Sequence, residues 1–218
     1  SSLRDQKGPV RVNFGRSFDL LVNPETNPSA TALMLTGITQ EELLEAPLWK
    51  DVKTEVKKFL GDKILLGHNL AFDLEYLKNQ GLKLKNPYID TLEIAQTILP
   101  LAAAHSLEYL VTEFEVSTEP SHRALADAQN CALVLAETIN EFLRFPRELQ
   151  TEVRDFLSKS KLSFRDLILD LPEAHNPPSS PLTLRGEREN GKAPPLRVRG
   201  GKGELLFDWP DKTLVSLS

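Results

Sequence analysis

A chain of 218 residues, 40% of them hydrophobic and 26% charged, has the composition of a globular protein that can bury a core, and this excludes a wholly disordered chain. No apolar run approaches the ~20 residues a membrane-spanning helix needs, and the single cysteine, Cys131, excludes an internal disulfide and a cysteine-rich zinc site. The formal net charge of −5 gives no general pull toward nucleic acid, although a hydrolase needs only a local basic path.

A reducing cytoplasm is the expected compartment, since the lone cysteine forms no internal disulfide, and no signal-peptide pattern follows Ser1. Residues 10–22 read as extended chain, a hairpin turning at Gly15, and Asn23-Pro24 and Asn27-Pro28 close it off as a loop. Thr39 to Glu42 is a capping box that starts a short helix. A longer amphipathic helix follows Pro47, with Trp49, Val52, Val56, Phe59 and Leu60 on one side. Residues 63–67 form a short apolar strand, after which Asn69 caps a helix that Gly81 ends. Tyr88-Ile89 is a second strand. Further helices start near Thr91, Ser106 and His122, the last reaching about Phe142. This alternation predicts an α/β domain with a central sheet over residues 1–145.

Residues 146–171 form a helical extension of two helices, the second started by a cap at Ser163 with Asp166 three residues on. Residues 172–203 are rich in Pro, Gly, Ser and Arg, with six Lys/Arg against three Asp/Glu, and read as a solvated linker or insert. A basic tether touching phosphates is the sharper reading of the same composition. Residues 204–218 turn apolar again and read as the start of a further domain.

Two aspartates stand where charge is costly. At ~100° per residue, Asp73 falls with Leu70, Tyr76 and Leu77 on the packing face of its helix, whereas Glu75 points away. Asp127 shares a stripe with Ala124, Cys131, Val134 and Phe142. One carboxylate on a packing face is commonly a cap or half of an ion pair. Two of them, each on a helix entered from a short loop, point to a shared metal site. Oxygen-only ligation suits magnesium or manganese. His122, five residues before Asp127, cannot share a metal with it as an i, i+4 pair would, but suits a general base. The competing reading of His122 is a helix-start surface residue. His105, Asp90 and Thr91 read as helix-start or capping residues, and His68 as a structural residue or a substrate contact at a strand end.

His68-Asn69-Leu70-Ala71-Phe72-Asp73 is similar to the second exonuclease motif of the DnaQ-like (DEDDh) 3′–5′ exonucleases, and His122-Arg123-Ala124-Leu125-Ala126-Asp127-Ala128 to their third. The separation of these motifs, the Ile89-Asp90-Thr91 between them and the upstream Leu35-Thr36-Gly37-Ile38-Thr39 also resemble that family. The resemblance implies an RNase H-like mixed sheet flanked by helices. It implies a site with two Mg²⁺ or Mn²⁺ ions, Asp73 and Asp127 as metal ligands, His122 as base, and His68 and Asn69 beside the substrate. Single-stranded 3′ ends, of DNA ahead of RNA, are the implied substrate, with no membrane involved.

The family's first motif, a strand bearing Asp-x-Glu, has no counterpart in residues 1–18, which hold Asp5 and no glutamate. Asp73 and Glu75 copy its letters, but on a helix they diverge by ~200°, whereas on a strand both would share a face. The expectation is therefore that the N-terminal strand is missing, that the sheet lacks a central member and leaves hydrogen-bonding edges open, and that this stretch alone is inactive. The helical extension resembles the segment joining exonuclease to helicase in DinG-type proteins. A fused helicase or polymerase is the implied partner, and an inactive module that binds nucleic acid or a protein is the alternative.

Overall fold

The computed structural model describes residues 10–117, 124–171, 205–206 and 214–216. In chain order these form β1 (Val10–Arg11), α1 (Ala30–Thr36), α2 (Gln40–Glu45), α3 (Trp49–Leu60), β2 (Ile64–Gly67), α4 (Leu70–Asn79) and β3 (Tyr88–Asp90). There follow α5 (Thr91–Ile98), α6 (Leu107–Phe114), α7 (Ala124–Arg144), α8 (Arg147–Ser158), α9 (Arg165–Asp170), β4 (Leu205–Leu206) and β5 (Leu214–Ser216). The expected α/β class is met.

The main sheet has the order β3-β2-β5 and is parallel throughout. All four residues of β2 are buried, as a parallel strand covered on both faces requires. Leu66 pairs with Ile89 and Gly67 with Asp90, so β2 and β3 end side by side and release their following helices together. On its other side β2 pairs with β5, Leu65 opposite Val215. That edge of β2 is thus paired with the chain's own C-terminal segment. A second parallel pair joins β1 to β4.

Helix α7 is the spine of the domain. Its residues Cys131, Leu135, Ile139 and Phe142 pack with Leu66, Ile89, Ile94, Ile98, Phe164 and Ile168 in the main core. The buried Asn140 takes the place of a neighbouring strand for Val10. Val10 donates its N–H to Asn140 Oδ1 at 2.6 Å, and Asn140 Nδ2 donates back to the Val10 carbonyl at 3.1 Å. An amide is the side chain that can satisfy both groups at once.

Four local expectations need correction. The hairpin over residues 10–22 reduces to two strand residues, because β1 finds its partners in β4 and Asn140 rather than in a returning strand. The loop after Asn27-Pro28 contains helix α1, capped by Ser29, whose side chain accepts from Ala32 N–H. Asn69 precedes α4 in a left-handed conformation (φ 62°) and makes no side-chain cap bond. Ser163 does not cap α9, whose N-cap is Phe164; Ser163 bonds to Glu93 and Asp90 instead. The capping box at Thr39 and Glu42 is present as expected.

The proposed linker at 172–203 and the histidine His122 lie outside the described residues, as does the tail 204–218 apart from β4 and β5. Among the described residues no helix is long and apolar enough to cross a membrane.

Candidate active site

The carboxyl ends of β2 and β3 build the site. Asp90, the last residue of β3, lies opposite Gly67. Its Oδ1 accepts from the N–H groups of Asn69 and Leu92, and its Oδ2 from that of Leu70, each at 2.9 Å. One carboxylate therefore closes the starts of both α4 and α5, and its negative charge sits at the positive ends of both helices. This is the cap that local reading assigned to Asn69. Asp90 is in turn held by Ser163, whose Oγ accepts from the Asp90 N–H at 3.1 Å. Ser163 itself donates from both N–H and Oγ to Glu93 Oε2. The helical extension is thereby latched to the site.

Beside this cap, the Thr91 hydroxyl donates to the Gly67 carbonyl at 3.1 Å. Its oxygen lies 2.9 Å from His68 Nδ1. With the hydroxyl proton committed to Gly67, His68 is the donor to Thr91, which fixes the ring. Burial lowers the His68 pKa below the ordinary value of 6.5. The charge of Asp90 and the backbone of His105 oppose that shift, and the charge of His105 adds to it. His68 is accordingly a strand-end anchor held in its neutral form near neutral pH. His105 lies just before the Ser106 cap of α6, its Nε2 2.9 Å from the Leu99 carbonyl.

Asp73 stands in the first turn of α4, half-buried. Burial raises its pKa above the usual 3.8 and the negative charge of Asp90 adds to the rise, while a hydrogen bond from its own backbone pulls the other way. Among the described residues no basic side chain pairs with it. Tyr76, expected on the same packing face, is instead 57% exposed, and Phe72 is 72% exposed; Leu70 is fully buried. Asp127 stands in the first turn of α7, also half-buried, one turn before the fully buried Cys131. α7 packs against β2, the strand that leads into α4, so both carboxylates belong to first turns of helices organised around that strand.

The donor chemistry fits a hard divalent cation. Asp73 offers a carboxylate oxygen in a half-buried place with no basic partner among the described residues, and Asp127 is a second half-buried carboxylate. Among the described residues no group of three or more His, Cys, Asp or Glu is placed to hold a metal ion. A pair of carboxylates is nevertheless the protein share that magnesium commonly takes, with water and phosphate oxygens completing the shell.

Sequence reasoning missed the dual cap of Asp90 and the latch through Ser163 and Glu93. The local half, Asp90 capping α5 through Leu92, was legible as a capping residue; the cap on α4 and the latch have no local signal, because those partners are 20 or more residues away.

Comparison with known proteins places these features in a wider group. The family model RNase_T, described as exonuclease, matches residues 8–135. The chain is 32% identical to a DNA polymerase III PolC-type of Bacillus subtilis (strain 168) over 160 residues, which is 69% of this chain and 11% of that protein. It is 37% identical to the PolC-type polymerase of Latilactobacillus sakei subsp. sakei (strain 23K) over 125 residues, 55% of this chain and 9% of that one. The chain therefore spans about a tenth of the length of the curated relatives it matches. Among solved structures, exonuclease X in complex with 5′ overhanging duplex DNA is similar at 26% identity and a TM-score of 0.47, covering 55% of this chain and 70% of that one.

Proposed function

The chain belongs to the RNase_T exonuclease family, and from that premise we propose that it is the catalytic core of a metal-dependent 3′–5′ exonuclease of the DEDDh type, acting on single-stranded 3′ ends. The observation that carries this reading is Asp73. Its half-buried carboxyl, pushed toward the neutral form by burial and by Asp90, lacks a basic partner among the described residues. Such a group is costly to a fold and useful to a cation.

In this reading Asp73 and Asp127 hold Mg²⁺ or Mn²⁺, two ions being the expected count. When bound, the metal supplies Lewis-acid stabilisation of charge on the scissile phosphate and leaving oxygen. His122 takes a proton from the attacking water. His68, fixed by Thr91, and Asn69, held by Asp90, shape the floor on which the terminal nucleotide rests. The exposed rings of Phe72 and Tyr76 flank Asp73 along α4 and offer faces on which unpaired bases stack. DNA is favoured over RNA because the similar curated proteins are named as DNA polymerases. A cytoplasmic location and fusion to a polymerase or helicase belong to the same reading.

A second reading is a module that binds nucleic acid or a protein without cutting. It is favoured by the lack of a three-ligand cluster among the described residues. A 3′-labelled single strand, incubated with the protein carrying this domain and Mg²⁺ or Mn²⁺, separates the two. The exonuclease reading expects metal-dependent loss of label, abolished in Asp73→Asn and Asp127→Asn and slowed by roughly two to four orders of magnitude in His122→Ala. Label release that survives Asp127→Asn at saturating metal refutes the ligand assignment. Binding without any release supports the second reading.

A further inference from the structure

A cavity of about 590 Å³ opens between α4 and the segment that follows it, lined by Leu74, Glu75 and Lys78 on one side and Lys83, Leu84 and Lys85 on the other. Its floor is apolar, because Leu74 and Leu84 pack onto Leu60, Leu65 and Leu70 in the second core cluster. Its walls are basic. Lys78, Lys83 and Lys85 are exposed, and among the described residues none of the three has an acidic partner within ion-pairing distance, Glu75 included. Lys53 of α3 adds a fourth charge nearby. Its Nζ lies so close to Gly81 that a Cβ there would meet it at 2.8 Å. In a chain of net charge −5, four lysines against one glutamate make a local concentration of positive charge that the fold does not use for itself.

We propose that this cavity is a phosphate-binding site for the backbone of a nucleic-acid strand upstream of its 3′ end. The inference rests on the nucleic-acid reading above and adds a second contact region to it. At ~100° and ~1.5 Å per residue, Lys78 lies ~7.5 Å along α4 from Asp73 and ~140° around it. That ~140° arc carries the packing residues Leu70 and Leu74, so the solvent-exposed way between Asp73 and Lys78 is the opposite ~220°, past Tyr76 and Phe72. A strand whose last nucleotide sits at Asp73 follows that longer exposed way around α4 and meets the lysines several nucleotides upstream, beyond the reach of a trinucleotide. Lysine contacts of this kind bind phosphate as point charges and carry no base preference.

The test is binding of fluorescein-labelled oligonucleotides to the whole chain, metal-free with EDTA present so that nothing is cut, across a salt series. The triple variant Lys78→Gln, Lys83→Gln, Lys85→Gln is expected to bind a 20-nucleotide single strand at least tenfold more weakly. It should bind a trinucleotide as the parent does. The slope of log K against log salt becomes shallower by about 2, since single strands contribute about 0.7 per phosphate contact. The triple arginine variant should restore both affinity and slope, which a merely misfolded protein would not do. The proposal is overturned by an unchanged slope, by equal weakening for long and short strands, by no binding of the 20-mer, or by tighter binding of a poly-glutamate peptide, which would mark an acidic protein as the occupant. A changed slope in a protein that never releases label leaves the groove standing and removes the hydrolytic reading. Label release with an unchanged slope does the reverse.

Discussion

Replacing Asp90 by Ala is expected to cost about 3 kcal/mol of folding stability in metal-free protein, although Asp90 is neither a proposed ligand nor a base. Its carboxylate accepts three backbone N–H bonds of 2.9 Å from Asn69, Leu70 and Leu92. Two of them cap helices, each worth typically about 1 kcal/mol. The donors at Leu70 and Leu92 are partly buried, so part of their desolvation is not recovered from water once the acceptor is gone, and this raises the total. Asp90→Asn keeps one acceptor oxygen but turns an amide N–H₂ toward Leu70 N–H, and should cost about 1–2 kcal/mol. Equilibrium urea unfolding followed by far-UV circular dichroism gives both values. For a domain of this size the alanine variant should melt roughly 6–12 °C lower. A second readout isolates the charge. Asp90→Asn removes a negative neighbour of Asp73, so the Asp73 pKa, raised in the parent, should move back down in an NMR titration. An alanine variant within 0.5 kcal/mol of the parent, or an Asp73 titration indifferent to Asp90→Asn, refutes the double-cap account.

Two further outcomes follow from the same geometry. Asp73 has a folded-state pKa above its unfolded value, so its ionised form costs stability; that cost is absent below about 3.8 and grows as pH rises through the raised folded value. The stability gained by Asp73→Asn in metal-free protein should therefore increase with pH over that window and level off above it, and saturating Mg²⁺ or Mn²⁺ should reverse the sign by stabilising the parent alone; a difference that is flat with pH refutes the assignment. Asn140→Leu strips Val10 of partners for its N–H and carbonyl in a buried setting, and should cost about 2–4 kcal/mol in urea unfolding with faster amide exchange at Val10, whereas a loss under 1 kcal/mol means β1 is held by β4 alone.

What the sequence made legible was local. The box at Thr39 and Glu42, the apolar stripe of α3, the Ser106 cap and the long α7 each declare themselves within a few residues, because helix periodicity and capping are short-range effects. Helix α1 escaped because none of its residues is buried, so it has no apolar stripe to read. Asn69 has a good capping side chain at the right place, yet a strand residue 21 positions later takes its work, and Asn69 adopts the left-handed backbone conformation that asparagine tolerates. Ser163 escaped in the same way, its apparent capping role displaced by bonds to Glu93 and Asp90 about 70 positions away. β5 was unreadable because strand pairing across the whole chain leaves no trace in sequence spacing. Of the candidate site, the positions of Asp73 and Asp127 in first helical turns were legible from motif and periodicity, and the electrostatic setting of Asp73 was not.

That setting follows from one constraint. Two parallel strands that end in register release their helices side by side, so the backbone N–H groups of both helix starts converge on the space beyond Gly67 and Asp90. Converging donors need an acceptor, and the carboxylate at the end of β3 serves both. Once Asp90 is there, a second carboxylate one turn into α4 meets a like charge as well as lost hydration, and both push Asp73 toward its neutral form. A cation relieves the repulsion and the desolvation together, which a lone surface aspartate would gain little from. The bond network that closes both helix starts is therefore the one that pushes Asp73 toward its neutral form. Strengthening the cap and sharpening the site are, at Asp90, the same change.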